Sequence, residues 1–178
     1  MKKLVCVLLL LATVSCGDSL VFPKYKSVIE MLEASGDYTG HNLEEIPNND
    51  GITHVRVSSE FLKVENLKVI NQQVKRDIVY VVFQTFAQTD LDNISITATP
   101  IIRTSFNPNL EYDGKLLETL SETVNVSRAK AEELLKKYLN NSSFEDLYDV
   151  EGTLYLPNDN FDKLKYDELN NVFLDLKK

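Results

Sequence analysis

Ile78-Val79-Tyr80-Val81-Val82-Phe83 is the stretch on which the reading of the fold turns. Every side chain in it is β-branched or aromatic, the types that pack well on a pleated surface. Apolar groups occupy both parities, so the run reads as a central strand covered on both faces. The neighbouring segments agree with a sheet. Before it, Thr53, Val55 and Val57 alternate with His54, Arg56 and Ser58, and Phe61 to Ile70 is rich in Val, Leu and Ile. The phase of this second segment shifts near Glu65-Asn66, which predicts a bulge or tight turn. After the central run, Ile94-Ser95-Ile96-Thr97-Ala98-Thr99 alternates cleanly, with one face buried and one wet. The short polar link Asp90-Leu91-Asp92-Asn93 favours antiparallel neighbours, because parallel strands need long crossovers.

Helices flank this sheet. Pro23 suits a first helical position, Tyr25, Val28, Ile29 and Leu32 follow at helical spacing, and Gly36 stands where a terminating glycine belongs. Residues 37–51, with Pro47 and Asn48-Asn49-Asp50-Gly51, read as a polar loop. Residues 116–126 read as a strand through Leu116, Leu120, Val124 and Val126, although Leu117, Leu120 and Val124 also fit a helix. The clearest helix starts at a Ser127 cap and carries Ala131, Leu134, Leu135, Tyr138 and Leu139 on one stripe. Glu132–Lys136 and Glu133–Lys137 are spaced as i,i+4 pairs, and Asn140-Asn141 ends the helix. A short strand at Thr153–Leu156 stops at Pro157, and a last helix aligns Leu169, Val172, Phe173 and Leu176. The sum is a single α+β domain over residues 23–178. It has an antiparallel sheet of four to six strands, packed by an N-terminal helix and C-terminal helices. Its first part resembles the layout of cystatin-like folds, a helix wrapped by a curved antiparallel sheet, in element order alone.

The N-terminus carries the one recognisable signal. Met1-Lys2-Lys3 is followed by an apolar run from Leu4 to Val14, and Thr13-Val14-Ser15 leads into Cys16. The run is too short to span a bilayer, which takes about 20 apolar residues; it reads as a targeting segment removed from the mature chain. Ser15-Cys16 resembles the lipobox of bacterial lipoproteins. That resemblance implies cleavage before Cys16, diacylglycerol on its thiol, and palmitate-type chains holding the protein to a membrane of the cell envelope, the outer membrane in a Gram-negative cell. Thr13 departs from the usual Leu, which leaves ordinary cleavage and a secreted soluble product as the alternative. Cys6 lies in the removed segment, so lipid on Cys16 accounts for the one cysteine that remains. Residues 16–22 form a short tether, spanning about 20 Å at most.

The formal charge of the whole chain is −8; loss of Lys2 and Lys3 makes it −10. A surface of that sign argues against nucleic acid and against electrostatic adsorption to anionic lipid, leaving acyl chains to supply membrane attraction. No catalytic, cofactor-binding or metal-binding residue is assigned. His41 lies beside Glu44 and Glu45 in the predicted loop, without the helical array that would aim them at one ion, and His54 reads as a half-exposed strand residue. Asn158-Asp159-Asn160-Phe161-Asp162 imitates a calcium loop but has Lys163 where glycine is required and Leu169 where glutamate is required. No Gly-x-Ser-x-Gly elbow or phosphate-binding glycine loop occurs. The reading that follows is an envelope lipoprotein acting as a binding or structural accessory module with a protein partner at the envelope. Two alternatives stay open: a small cell-wall or glycan hydrolase working through carboxylates, and an envelope inhibitor or immunity-type protein.

Overall fold

No glycine or proline interrupts the chain between Gly51 and Pro100, and this stretch builds the frame of the fold. The computed structural model describes residues 22–49, 51–141, 143–151 and 154–178. The signal segment, Cys16 and the tether as far as residue 21 lie outside the described residues.

The apolar run at 78–83 is not a strand. It lies inside a 22-residue helix, α2 (Leu67–Gln88), whose N-cap Asn66 accepts a hydrogen bond from the Lys68 backbone N–H at 2.8 Å. The tight turn expected near Glu65-Asn66 is present, closed by Glu65 N–H to Leu62 O at 2.9 Å. It separates a short strand, β3 (Glu60–Leu62), from the helix, so the strand expected over Phe61–Ile70 is truncated after Leu62. Ile78, Val79, Val81, Val82, Phe83 and Phe86 are all fully buried. Protein therefore surrounds the C-terminal half of this helix over most of its circumference; β-branched residues are tolerated in it because burial outweighs their modest propensity cost.

Replacing a central strand by a helix changes the sheet. Four strands, β1 (Leu43–Glu45), β2 (His54–Val57), β4 (Asn93–Ala98) and β7 (Glu122–Ser127), run in the order β1-β2-β4-β7. β2 and β4 are parallel, and the other two pairs are antiparallel. The sheet is therefore mixed, where a purely antiparallel one was expected, because α2 supplies the long crossover a parallel pair needs. A second sheet orders β3, β5 (Ile101–Arg103) and β6 (Lys115–Leu116). It continues the first: His54 faces Ser95 and Glu60 faces Ile101, the same offset of 41 residues. Thr99 N–H to Val57 O (3.1 Å) and Ile101 N–H to Ser59 O (2.9 Å) bridge the kink between them. Along the third strand, Ala98 faces Glu122 but Ile101 faces Leu116, a slip of three residues absorbed by the 3-10 turn Glu118–Leu120. Residues 116–126 are thus two strand pieces around a turn.

The polar side of β4, expected to be wet, is covered. Thr97 Oγ1 lies 2.8 Å from both His54 Nε2 and Thr123 Oγ1, and Ser95 and Thr97 are buried. β1 and a 3-10 turn at Gly40–Asn42 occupy part of the expected 37–51 loop.

The first helix, α1 (Val28–Ser35), starts at the Ser27 cap and not at Pro23; Ser27 Oγ accepts from Glu30 N–H at 3.1 Å. Gly36 ends it in the left-handed region at φ 76°, as its position predicts. α3 (Arg128–Leu139) is capped by Ser127 and by left-handed Asn140. Its acids pair otherwise than expected: Glu133 meets Lys130, and Lys137 leaves the helix for Asp175. Arg128 also closes the end of α2, donating to the carbonyls of Phe86 (2.7 Å), Thr89 (2.7 Å) and Leu91 (3.1 Å). The strand expected at 153–156 is one arm of a hairpin, β8 (Tyr148–Glu151) with β9 (Leu154–Pro157); Thr153 lies outside the described residues. A helical turn, α4 (Asp159–Asp162), runs into a π-helical segment at Lys163–Asp167 and then α5 (Leu169–Leu176), which buries Leu169, Val172, Phe173 and Leu176. The fold is α+β, as the sequence indicates. Its centre is α2 against a mixed sheet, and the likeness to a cystatin-like wrap does not hold.

Candidate binding cleft

Along α2, polar residues recur at helical spacing: Gln73, Arg76, Asp77 and Tyr80 stand at i, i+3, i+4 and i+7, which puts them on one face. That face forms one wall of a cleft of about 650 Å³. The kink between the sheets contributes Ser58, Ser59, Glu60 and Phe61. The turn after α1 brings Asp37, Tyr38 and Asn42, and the π-helical segment brings Lys165 and Tyr166. An i→i+5 bond, Glu168 N–H to Lys163 O at 2.9 Å, marks that segment. Such bulges re-aim side chains and are frequent at functional sites.

Asp77 closes the cleft from below. Its side chain is 2 % exposed, and it accepts hydrogen bonds from Tyr38 Oη (2.9 Å), Ser59 Oγ (2.8 Å) and Gln73 Nε2 (2.8 Å). Burial raises its pKa to about 6, against the three hydrogen bonds and the Arg76 charge, which all favour the carboxylate. Burial and the neighbouring Asp77 carboxylate in turn hold the Tyr38 hydroxyl well above the usual phenol range. Tyr80 donates to Asp37, and burial first, then that bond, pushes its pKa up as well.

The cations of the cleft are less completely satisfied. Arg76 Nη1 reaches Gln73 Oε1 at 3.3 Å and the guanidinium lies 5.0 Å from the centre of the Tyr166 ring. Its Nε is buried without a hydrogen-bond partner among the described residues, and so is Asn42 Oδ1 on another part of the lining. Lys165 sits within 5.4 Å of the Tyr80, Phe161 and Tyr166 rings and pairs with Asp162 at 3.2 Å. Tyr166 is 54 % exposed. The lining thus holds one unpaired buried donor and one unpaired buried acceptor beside exposed aromatic faces.

A second charged cluster braces the rim. Arg103 Nη1 donates to Glu60 Oε2 at 2.8 Å, and the guanidinium lies between Phe106 (5.5 Å) and Tyr112 (4.6 Å). His41 stacks on the other partner of this group, Tyr112, at 4.5 Å, so this histidine is engaged with an aromatic ring and not with Glu44 or Glu45. Glu44 pairs with Arg56. Asn158 caps α4, accepting from Asn160 N–H at 3.0 Å. Among the described residues no three His, Cys, Asp or Glu side chains gather into a metal-binding group. The cleft residues come from five separate segments, Pro157 at the end of β9 being the fifth, and none was assigned to a site from the sequence. The polar stripe 73-76-77-80 was the available signal, legible only once the segment is taken as helical.

Among the described residues no helix is long and apolar enough to cross a membrane. Comparison with known proteins finds no matching protein family, no matching curated protein and no matching solved structure.

Proposed function

We propose that this protein is a lipoprotein of the bacterial envelope, anchored through lipid on Cys16, whose α+β domain works as a binding module for a protein partner near the membrane. The anchoring rests on the N-terminal residues alone, and the binding role rests on the cleft. The observation that carries the binding role is the pair of buried, unpartnered polar atoms, Arg76 Nε and Asn42 Oδ1, on the walls of a 650 Å³ cleft. A partner side chain or terminus that supplied an acceptor to Arg76 and a donor to Asn42 would recover hydrogen bonds each worth about 1 kcal/mol or more.

The hydrolase reading has its own support in Asp77, a buried acid at the cleft with its pKa raised to about 6, the kind of perturbation acid–base residues carry. Against it, both carboxylates nearest the cleft floor are occupied. Asp77 accepts three hydrogen bonds from the chain itself, and Glu60 is held by Arg103 and by Tyr112 at 3.3 Å. Both carboxylates are thus engaged by neighbouring side chains of the chain itself.

A photocrosslinking residue at position 166, expressed in the envelope, tests the binding role. It should give a discrete adduct that a probe at Leu174 on α5 does not. Inserting about twenty flexible residues after Ser19, which adds roughly 20–30 Å of mean reach, should lower the yield without changing domain stability. Absence of the adduct at 166, together with glycan hydrolysis abolished by Asp77→Asn or Glu60→Gln, would replace the binding module by the hydrolase.

A further inference from the structure

Gln73 keeps two opposite charges of the cleft from pairing. Its Nε2 donates to Asp77 Oδ1 at 2.8 Å and its Oε1 accepts from Arg76 Nη1 at 3.3 Å. The carboxylates that line the cleft all have donors of their own: Asp77 has Tyr38, Ser59 and Gln73, Glu60 has Arg103, and Asp37 has Tyr80. Arg76 does not fare as well. Among the described residues it makes that one hydrogen bond and no ion pair. The nitrogens left over, Nε and Nη2, form one edge of the guanidinium and aim two parallel N–H groups the same way, the fork that a carboxylate takes bidentately. The second cation of the cleft is close by. Lys165 Nζ lies 5.4 Å and the Arg76 guanidinium 5.0 Å from the centre of the same Tyr166 ring, and the one ion pair of Lys165 is with the exposed Asp162.

We infer that the guest of the cleft is a carboxylate presented by a peptide segment of the partner, gripped by the Nε–Nη2 edge of Arg76 with Lys165 as the second cation. The inference rests on the binding role proposed above and specifies what is recognised. A single negative charge suits the site. Asp37, Glu60 and Asp77 already line the cleft and the chain carries −8 overall, so a phosphate dianion meets more repulsion there than a carboxylate does. Asn42 Oδ1 accounts for the peptide: this buried acceptor lacks a donor, which a bare carboxylate cannot supply and a peptide N–H can. A cleft of about 650 Å³ has room for a side chain or a chain end with its flanking amides. Arg76 Nε is shielded from water, and Tyr166, which lies over the guanidinium and is 54 % exposed, is the side chain that yields to admit the guest.

Arginine side chains report on this directly, because each Nε–H group gives its own NMR signal. In the isotope-labelled protein as purified from the envelope, the arginines are Arg56, Arg76, Arg103 and Arg128, and the signal lost in Arg76→Lys is that of Arg76. The probes are acetyl-Gly-Glu-Gly-amide and acetyl-Gly-Gly-Gly with a free carboxyl end, with acetyl-Gly-Gln-Gly-amide, acetate and inorganic phosphate as controls. One or both carboxylate peptides should move the Arg76 signal saturably, and the tighter of the two tells an acidic side chain from a chain end. The Gln peptide should leave the signal in place, and acetate and phosphate should bind more weakly than the peptide. Lys165→Gln should weaken the peptide about tenfold, the usual effect of losing one charge-assisted contact. A signal unmoved by either carboxylate peptide, an equal response to the Gln peptide, acetate or phosphate, or full affinity in Lys165→Gln overturns the inference. If the crosslinker at position 166 still gives its adduct in that case, the binding role stands. A saturable carboxylate response without any adduct keeps the carboxylate site and overturns the protein partner.

Discussion

The Tyr38 hydroxyl donates to Asp77 Oδ1 at 2.9 Å, joining the turn after α1 to the middle of α2. With Ser59 on the other carboxylate oxygen, this one acid ties together the crossover helix, the kink between the sheets and the N-terminal helix. It is also the floor of the cleft, so stability and site geometry share a residue.

The first prediction concerns its protonation. Asp77 has a folded-state pKa of about 6, above its ordinary value, so the folded chain binds this proton more tightly than the unfolded chain does. Its contribution is fully present below about pH 4 and is lost as the pH rises through about 6, a change on the order of 3 kcal/mol. Urea unfolding of the parent should carry this downward slope, and Asp77→Asn should flatten it. An identical slope in the variant would show that Asp77 ionises in the fold as it does in the unfolded chain.

The opposite slope belongs to Asp175. Hydrogen bonds from Lys137, Lys178 and Tyr138 hold its carboxyl well below the usual range. Its stabilisation is present above its ordinary pKa, near 4, and disappears as the pH falls toward the depressed value. Asp175→Asn should lower the melting temperature at neutral pH and leave it nearly unchanged in strong acid. An equal loss at both would mean that the residue acts through packing alone.

Arg128 closes α2 by donating to three main-chain carbonyls while its guanidinium lies over Phe86 (5.2 Å) and Phe144 (5.6 Å). Lysine has a single ammonium and cannot reproduce the planar fork. Arg128→Lys should therefore recover little of the loss in Arg128→Ala, expected at roughly 2–4 kcal/mol because buried acceptors are left unpaired. Full rescue by lysine would reduce the role of Arg128 to its charge.

Gly36 terminates α1 at φ 76°, and an added Cβ there meets nothing within 4 Å. The cost of Gly36→Ala is then backbone strain alone, about 1 kcal/mol, and Gly36→Asn should cost less. Equal stability of all three in denaturant titration would contradict the left-handed cap.

Elements with local signals were legible in the sequence. Ser127 and Asn140 bound α3, Gly36 stops α1, and the alternation at 54–57 and 94–98 marks β2 and β4. The central run was not, because every side chain of Ile78–Phe83 except Tyr80 is fully buried, and burial of both parities erases the periodicity that separates helix from strand. Length and punctuation held the answer: no Gly or Pro interrupts the chain from Leu67 to Gln88, a stretch too long for one strand. Taking the run as a strand removed the crossover, and with it the parallel pairing of β2 with β4. The same reading hid the cleft, since Gln73, Arg76, Asp77 and Tyr80 share a face only on a helix. Tyr38, Ser59 and Tyr166 reach it through tertiary contacts that no local pattern encodes.

The account depends most on Cys16. Intact mass spectrometry of the native protein extracted from the cell envelope tests it directly. The expected chain begins at Cys16 and carries a diacylglycerol thioether with further acylation at its amino group. A chain beginning elsewhere, or an unmodified Cys16 in protein recovered from the medium, would contradict the anchored module.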